Sequence, residues 1–384
     1  MSQCSFKVET YPLTQNSIGV GSNLKLFRLS WGLPGPRVFL PASVHGAEVQ
    51  GNLVLYHLMK WAKENSFRGE LCLAPFANPT GTTTKIGTQT YGRFNTVTGH
   101  NWNRNYHDLA KYLGAEKIQA FALKHKASSL EEIKQNFQLV LNEALDQIEK
   151  EEKNYGLKEN GRLNWWLQKL SVESDIVLDL HTGPVACRYL YAPEALKESA
   201  KYLRIPYTLI VPHEFGGALD EAVFVPWTKL QEAFTKLGVN HPLLVESYTV
   251  EFGSEETIST TEAQIDLDRL LSYFHFKKII DQAPRNEALK VAQYYGALKD
   301  YKTYYAPRGG LYEYKIKPGD RYLKGDVLAS CLNFEGLNSL EKLSEQQTNL
   351  TAQQAGALIN HCPSSVVGSG MELLQVMENL SMFD

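Results

Sequence analysis

The stretch RVFLPASVHGAEVQGNLVLY, residues 37–56, places an imidazole and a carboxylate three positions apart, as His45 and Glu48. It opens as an apolar strand and ends as an amphipathic helix, so the pair falls at the strand-to-helix turn. Positions i and i+3 share a helical face, which points both side chains the same way. Such a pair binds a divalent metal once a third ligand joins it and one position stays open for water. Alone it is unspecific. The third ligand has to come from elsewhere, and His181 is the candidate. It ends the apolar run IVLDLHTG. His45 also lies just past a strand's carboxyl end, where open α/β sheets build their sites, so the two imidazoles can converge. Asp179 sits two positions before His181, on the same strand face. It is placed to accept the other ring N–H of a metal-bound imidazole and so fix its tautomer.

Other residue types fit the remaining roles of a hydrolytic site. Glu251 closes the strand VESYTVEFG. A carboxylate there takes a proton from an activated water and passes it to a leaving nitrogen. Glu246 is its competitor, five positions earlier, on the opposite face and further from the strand's end. In GHNWNRNYHD, Asn103 and Arg104 offer amide and guanidinium donors side by side. A guanidinium is the preferred partner of a carboxylate because it binds in bidentate fashion. Arg93, ten positions before Asn103, is a candidate for stabilising an oxyanion.

The elements that must hold these residues are legible as patterns. Residues 37–41, 70–76, 174–181, 207–211 and 243–252 are short apolar runs that read as buried strands. Helical patterns cover 47–64, much of 129–153, 161–170 and 260–281, the last after a Ser/Thr cap with Glu262. Alternating strands and helices predict an α/β fold, a mostly parallel mixed sheet flanked by helices. Residues 78–101 are rich in Gly, Thr and Asn and read as a long loop of functional type. The Glu/Lys-rich helix within 129–160 reads as a solvated structural element. Near residue 285 the pattern changes to short strands and tight turns such as Lys-Pro-Gly-Asp. The expected domains are therefore 1–284 and a small β-rich, barrel-like unit over 285–384.

Composition narrows the class. The 384 residues are 43% hydrophobic and 21% charged with a net charge of −3, so nothing favours a nucleic-acid or anionic-membrane surface. No apolar run reaches the ~18 residues a membrane span needs. The N-terminus MSQCSFKVET lacks a basic segment followed by an apolar run, which argues against a signal peptide. Five scattered cysteines without a C-x-x-C read as reduced thiols and a cytoplasmic location.

Taken together, His45-x-x-Glu48, the NP that follows, Arg93, Asn103-Arg104, His181 and Glu251 occur in the order used by zinc carboxypeptidase-like hydrolases. The segments HGAE, NRN, LDLHTG and VEFG resemble the succinylglutamate desuccinylase/aspartoacylase family over roughly residues 37–280. The tail from about 285 is similar to that family's small β-domain. The resemblance implies one Zn²⁺ per chain on His45, Glu48 and His181. It implies that Arg93 polarises the scissile carbonyl, that Asn103 and Arg104 hold a substrate carboxylate, and that Glu251 activates the water. The implied reaction is deacylation of a small N-acyl amino acid. A metallocarboxypeptidase acting on peptide C-termini uses the same residues, and a binding protein that kept the fold is the non-enzymatic alternative. The chain departs from the family in carrying Trp102 where an acidic residue is usual, and in the long stretch between Asp108 and Ser174.

The remaining candidates are weaker. Arg188 and Tyr189 follow the His181 turn and are candidates for the pocket wall. Glu214, Asp220 and Glu221 in HEFGGALDEAVF read as a solvated loop, with pocket-rim residues or a second metal's ligands as the alternatives, and His213 beside them is a weaker ligand candidate than His181 because it lacks the strand-end motif. GTTTKIGT lacks the order of a phosphate loop, so no nucleotide site is expected. Trp165 and Trp166 read as core, and the tail has no Asp-Lys hairpin of the carrier type.

Overall fold

A computed structural model of the protein describes residues 4–383. The first three residues of the segment read against a signal peptide lie outside them. In chain order the elements begin with β1 (Ser5–Gln15), β2 (Gly21–Ser30), β3 (Arg37–Pro41), α1 (Gln50–Ala62) and β4 (Glu70–Ala74). There follow α2 (Pro79–Thr83), the small hairpin β5 (Lys85–Ile86) and β6 (Gln89–Thr90), and the helices α3 (Leu109–Lys124), α4 (Leu130–Lys153) and α5 (Glu159–Val172). Next come β7 (Ile176–Gly183), β8 (Val185–Ala186), β9 (Arg188–Pro193), α6 (Lys197–Ala200), β10 (Tyr207–Val211), α7 (Leu219–Lys236), β11 (Glu246–Ser254), α8 (Thr260–Phe276) and β12 (Tyr294–Ala297). The tail is β-rich: β13 (Tyr301–Tyr305), β14 (Gly310–Tyr314), β15 (Arg321–Tyr322), β16 (Val327–Leu332), β17 (Gln347–Thr351), β18 (Gly356–His361), β19 (Val366–Val367), β20 (Glu372–Glu378) and β21 (Ser381–Met382).

The main sheet has ten strands in the order β1-β2-β4-β3-β7-β11-β9-β10-β12-β21. Its centre is parallel, β4 with β3, β3 with β7 and β7 with β11, and β9 inserts antiparallel beside β11. The expected mixed, mostly parallel α/β architecture is therefore what the chain adopts. β3 and β7 are buried along nearly their whole length, as strands covered by helices on both faces must be. One apolar core, under α3, α4, α5 and α7, includes Phe39, Val177, Phe137 and Phe224; the other, under α1 and α8, includes Leu40, Leu178, Leu58 and Phe274. Strand alternation sends neighbouring residues to opposite faces, so Phe39 and Leu40 serve different cores.

Local chemistry explains the helix starts. Ser129 Oγ accepts from Glu132 N at 3.2 Å and caps α4, while Ser259 Oγ accepts from Glu262 N at 3.3 Å and caps α8. Among the elements that escaped the pattern reading are the β1–β2 hairpin, β9, α3 and α7. Gly114 breaks the helical backbone of α3 with φ of 79° and blurs its helical period, whereas α7 runs unbroken through Pro226, a residue that in sequence reads as a helix breaker. Within the 78–101 loop, α2 is capped by Asn78, whose Oδ1 accepts from Gly81 N at 2.8 Å.

The tail does not stand apart from the main sheet. β12 pairs parallel with β10, β21 pairs with β12, and β18 pairs with β8 just beyond His181. Among the described residues, no helix is long and apolar enough to cross a membrane.

Candidate functional site

The site is built where β3 and β7 end side by side. After β3, Ser43 takes the left-handed conformation with φ of 57°, and its Oγ donates to Asn52 Oδ1 at 2.7 Å. The chain then turns through His45, and Glu48 N donates to His45 O at 3.1 Å. α1 begins only at Gln50, so the shared direction of His45 and Glu48 comes from this turn rather than from a helical face. The turn is crowded: a Cβ on Gly46 would lie 2.1 Å from Gly81 C, and one on Gly92 would lie 2.3 Å from Ala47 N. Only glycine lets the 78–101 loop pass this close, and that passage carries Arg93 to the site.

His45, Glu48 and His181 converge. Their ligating atoms lie within 4.8 Å of one another, and it is the one such His/Cys/Asp/Glu group among the described residues. His45 Nδ1 is 2.8 Å from Glu48 Oε1 and His181 Nδ1 is 2.7 Å from Glu48 Oε2. All three are at most 3% exposed. The outer ring nitrogens have acceptors of their own: Asn101 Oδ1 is 2.8 Å from His45 Nε2, and Asp179 Oδ2 is 2.8 Å from His181 Nε2. Each Nε2 thus faces an oxygen acceptor, and each Nδ1 faces the Glu48 carboxylate. Two imidazole nitrogens and one carboxylate oxygen, held by partners behind them, are a donor set that fits Zn²⁺ with a position left over. Asn101 carried no signal in the sequence, because an amide acceptor on a loop has no distinguishing pattern.

The electrostatics match a cation site. Burial would push the Glu48 carboxyl up, but His45 and His181 outweigh it and hold it well below the usual carboxylate range. Burial works against a charge on His181, yet Asp179 and Glu48 raise its affinity for positive charge far above that of an ordinary imidazole. His45 lacks a second carboxylate, and burial lowers it.

Glu251 stands abreast of His181 on the adjacent strand, with Tyr189 abreast of it on the other side. Its Oε2 is buried and has no hydrogen-bond partner. Burial pushes its carboxyl up and the Glu48 charge adds to this, while His181 and Arg93 pull it back. Glu246 lies at the other end of β11, where Tyr248 OH (2.9 Å), Tyr273 OH (2.5 Å) and Lys277 surround it, so it belongs to the scaffold.

Arg93 Nη1 is 3.3 Å from Glu48 Oε1 and about half of its side chain is exposed to the cavity. Arg104 lines the same cavity, with Nη1 donating to Asn103 O at 2.6 Å. Asn103, expected beside Arg104 on the wall, is buried behind His181 instead. Its Nδ2 donates to Asp179 Oδ2 at 3.4 Å and its Oδ1 accepts from Leu219 N at 3.2 Å. The chain turns at Trp102 and Asn103, with Trp102 itself buried, so neighbours in sequence point apart. Arg188 is likewise withdrawn, paired with Asp266 at 2.7 and 2.9 Å and with Glu262 at 2.8 Å, whereas Tyr189 does line the cavity. Glu221 Oε2 caps α7 by accepting from Gly216 N (2.7 Å) and Ala218 N (3.1 Å). His213 and Glu214 line a separate hollow, and Asp220 is buried rather than solvated.

The cavity measures about 680 Å³. Its floor carries Arg93, Thr182 and Glu251, and Glu255 follows at the end of β11. Burial pushes the Glu255 carboxyl up to about 7, with the Glu48 charge adding to it. The far wall comes from the tail: Tyr301, Asn360, Glu372 and Gln375. Asn360 Nδ2 donates to Tyr301 OH (2.9 Å) and to Gln375 Oε1 (2.8 Å), which locks this wall. The sequence reading assigned the tail no part in the site, since nothing local marks these residues.

Known proteins share this arrangement of chain. The sequence model of the succinylglutamate desuccinylase/aspartoacylase catalytic domain matches residues 34–148, a span that includes His45, Glu48, Arg93 and Arg104. No curated protein matches the chain. The crystal structure of a protein from Shewanella amazonensis SB2B, assigned to that family, is 34% identical, covers 98% of this chain and 100% of its own, and superposes with a TM-score of 0.90. One from Shewanella frigidimarina NCIMB 400, likewise assigned, is 33% identical over 100% of this chain and 99% of its own, with a TM-score of 0.90. The product-bound ectoine utilization protein EutE (DoeB) from Ruegeria pomeroyi, 14% identical, covers 98% of this chain and 95% of its own with a TM-score of 0.67, a likeness of fold. Full-length identity to the Shewanella proteins, on top of the domain match, settles the kinship: the chain belongs to the succinylglutamate desuccinylase/aspartoacylase family.

Proposed function

We propose that the protein is a zinc-dependent hydrolase that cleaves the amide bond of a small carboxylate-bearing substrate of the N-acyl amino acid type. The observation that carries this reading is the buried His45–Glu48–His181 group with Glu251 abreast of His181, beside a cavity lined by Glu251 and by Ala47 and Thr182, chain neighbours of these ligands. His45 Nδ1, Glu48 and His181 Nδ1 hold the metal. Zn²⁺ bound there supplies a hydroxide nucleophile at neutral pH and Lewis acidity toward a carbonyl oxygen.

The chain's own groups do the rest. Asn101 and Asp179 hold the two rings in their ligating orientation. Glu251 Oε2 accepts the proton of the attacking water and returns it to the leaving nitrogen; its raised proton affinity suits both halves of that task. Arg93 donates to the carbonyl oxygen as negative charge develops on it. Arg104 receives the substrate carboxylate, and Asn103 acts behind it on Asp179. The tail wall favours this reading over a metallocarboxypeptidase, because Tyr301, Asn360 and Gln375 close one side of the cavity and suit a small substrate better than a peptide chain. In this proposal residues 1–284 form the catalytic unit and 285–384 the unit that walls its cavity. Five unpaired thiols support a reducing compartment such as the cytoplasm.

The test is metal content by elemental analysis on the wild type and His45→Ala, followed by turnover of N-acyl amino acids. The wild type is expected to carry about one zinc per chain and His45→Ala almost none. Wild-type protein that takes up no metal would return the binding-protein reading to first place.

A further inference from the structure

The cavity's charges are unevenly divided. Its lining holds two guanidinium groups, Arg93 and Arg104, and three carboxylates, Glu251, Glu255 and Glu372, with no lysine or histidine. Arg93 already faces Glu48, so Arg104 is the one cation left for a substrate carboxylate. The side-chain carboxylates of Glu255 and Glu372 have no hydrogen bond or ion pair among the described residues. The rest of the far wall is neutral, the locked group of Tyr301, Asn360 and Gln375.

Glu255 is also held in place. Its N–H donates to Gly183 O at 2.9 Å, and the N–H of Glu256 donates to Ala47 O at 2.8 Å. The segment is thus tied to the end of β7, which carries His181, and to the turn that carries His45. Independently, the buried and unpartnered Oε2 of Glu251, only 7% exposed, marks the same cavity as a place where a ligand completes the hydrogen bonding. A second carboxylate on a bound substrate would meet Glu255 or Glu372, and like charges brought together in a half-buried site repel. An ammonium group would instead give those carboxylates a charge-assisted partner.

We propose that the cavity selects N-acyl amino acids bearing one carboxylate and one ammonium group, with Arg104 on the carboxylate and Glu255 on the ammonium, and that it disfavours N-acyl dicarboxylic amino acids. This rests on the hydrolase reading above and sharpens it. Arg93 and Glu251 keep the same roles for every substrate, so discrimination comes from the side chain of the amino acid alone.

The experiment compares kcat/KM of the zinc-loaded full chain for Nα-acetyl-ornithine, Nα-acetyl-glutamine and N-acetyl-aspartate, in the wild type, Glu255→Gln and Glu372→Gln. The wild type is expected to favour the ornithine derivative over the aspartate one by roughly 10-fold or more. Glu255→Gln should lose about 10-fold or more on the ornithine derivative, mainly through KM, and stay within about threefold on the glutamine one. Calorimetric binding of free ornithine against free aspartate gives a second readout that needs no turnover. Faster cleavage or tighter binding of the aspartate compounds, with zinc and activity present, overturns this proposal and leaves the hydrolase reading standing. Equal losses on ornithine and glutamine derivatives in both variants also overturn it, since that is the mark of a merely structural role. Binding of ornithine without cleavage of any N-acyl amino acid would support the recognition and sink the hydrolase reading.

Discussion

At the scale of single residues, the site works by pairing each functional atom with a partner behind it. The two imidazoles differ in those partners. His181 leans on a carboxylate, Asp179, and His45 on a neutral amide, Asn101. Asn101→Ala should therefore weaken zinc affinity by roughly 10–100-fold without abolishing it, read by competition with a chromophoric chelator. Unchanged affinity would remove Asn101 from the site. Glu251→Gln keeps the shape of the strand end but cannot accept a proton. It should retain zinc and lose roughly 10²–10⁴-fold in kcat. Full activity in that variant would pass the general-base role to another group, with Glu255 the first alternative.

At the scale of elements, the decisive feature is how tightly the 78–101 loop lies on the His45 turn. Gly46 N donates to Gly92 O at 2.9 Å, and neither glycine has room for a side chain. Gly46→Ala pushes a methyl into the Gly81 backbone, so it should lower stability by on the order of 2 kcal/mol or more and displace Arg93. Thermal unfolding reads the first effect, and a fall in kcat on the best substrate reads the second. An alanine variant with wild-type Tm and kcat would show that the loop is not pinned there. The helix α1 approaches as closely: a Cβ on Gly51 would lie 2.9 Å from Leu180 Cβ, one residue before His181. Sequence patterning placed α1 and β7 correctly but not this contact, since it depends on which faces meet.

At the scale of the whole molecule, charge burial ties stability to pH. Asp220 lies in the first turn of α7, is 4% exposed, and has Asp179 and Glu221 near it. Burial first, then those two charges, push its carboxyl from the ordinary 3.8 up to about 7. The folded protein thus keeps a proton that the unfolded chain has released, so raising the pH from about 4 to about 7 withdraws stability. Asp220→Asn removes that dependence. The variant's Tm should gain on the wild type across this range, by an amount on the order of a few kcal/mol in stability. A Tm difference that stays constant with pH would assign the group a normal acidity.

The residues that do local chemistry were open to reading in one dimension. His45 and Glu48 share a turn, and His181 and Glu251 each close an apolar strand, so strand period and strand ends alone brought them forward. The sheet followed for the same reason, because parallel strands buried on both faces leave continuous apolar runs such as IVLDL. What chain order does not encode is which neighbours separate and which strangers meet. Asn103 and Arg104 are adjacent, yet one lies behind His181 and the other faces the cavity. Asn101, Tyr301, Asn360 and Gln375 carry no pattern of their own, and the last three arrive from a tail more than a hundred residues beyond His181. The pairing of β18 with β8, together with that of β12 with β10, sets them on the cavity that Glu251 lines. Hydrophobic period acts between close neighbours in sequence, whereas the cavity wall is a long-range contact that exists only once the chain has closed on itself.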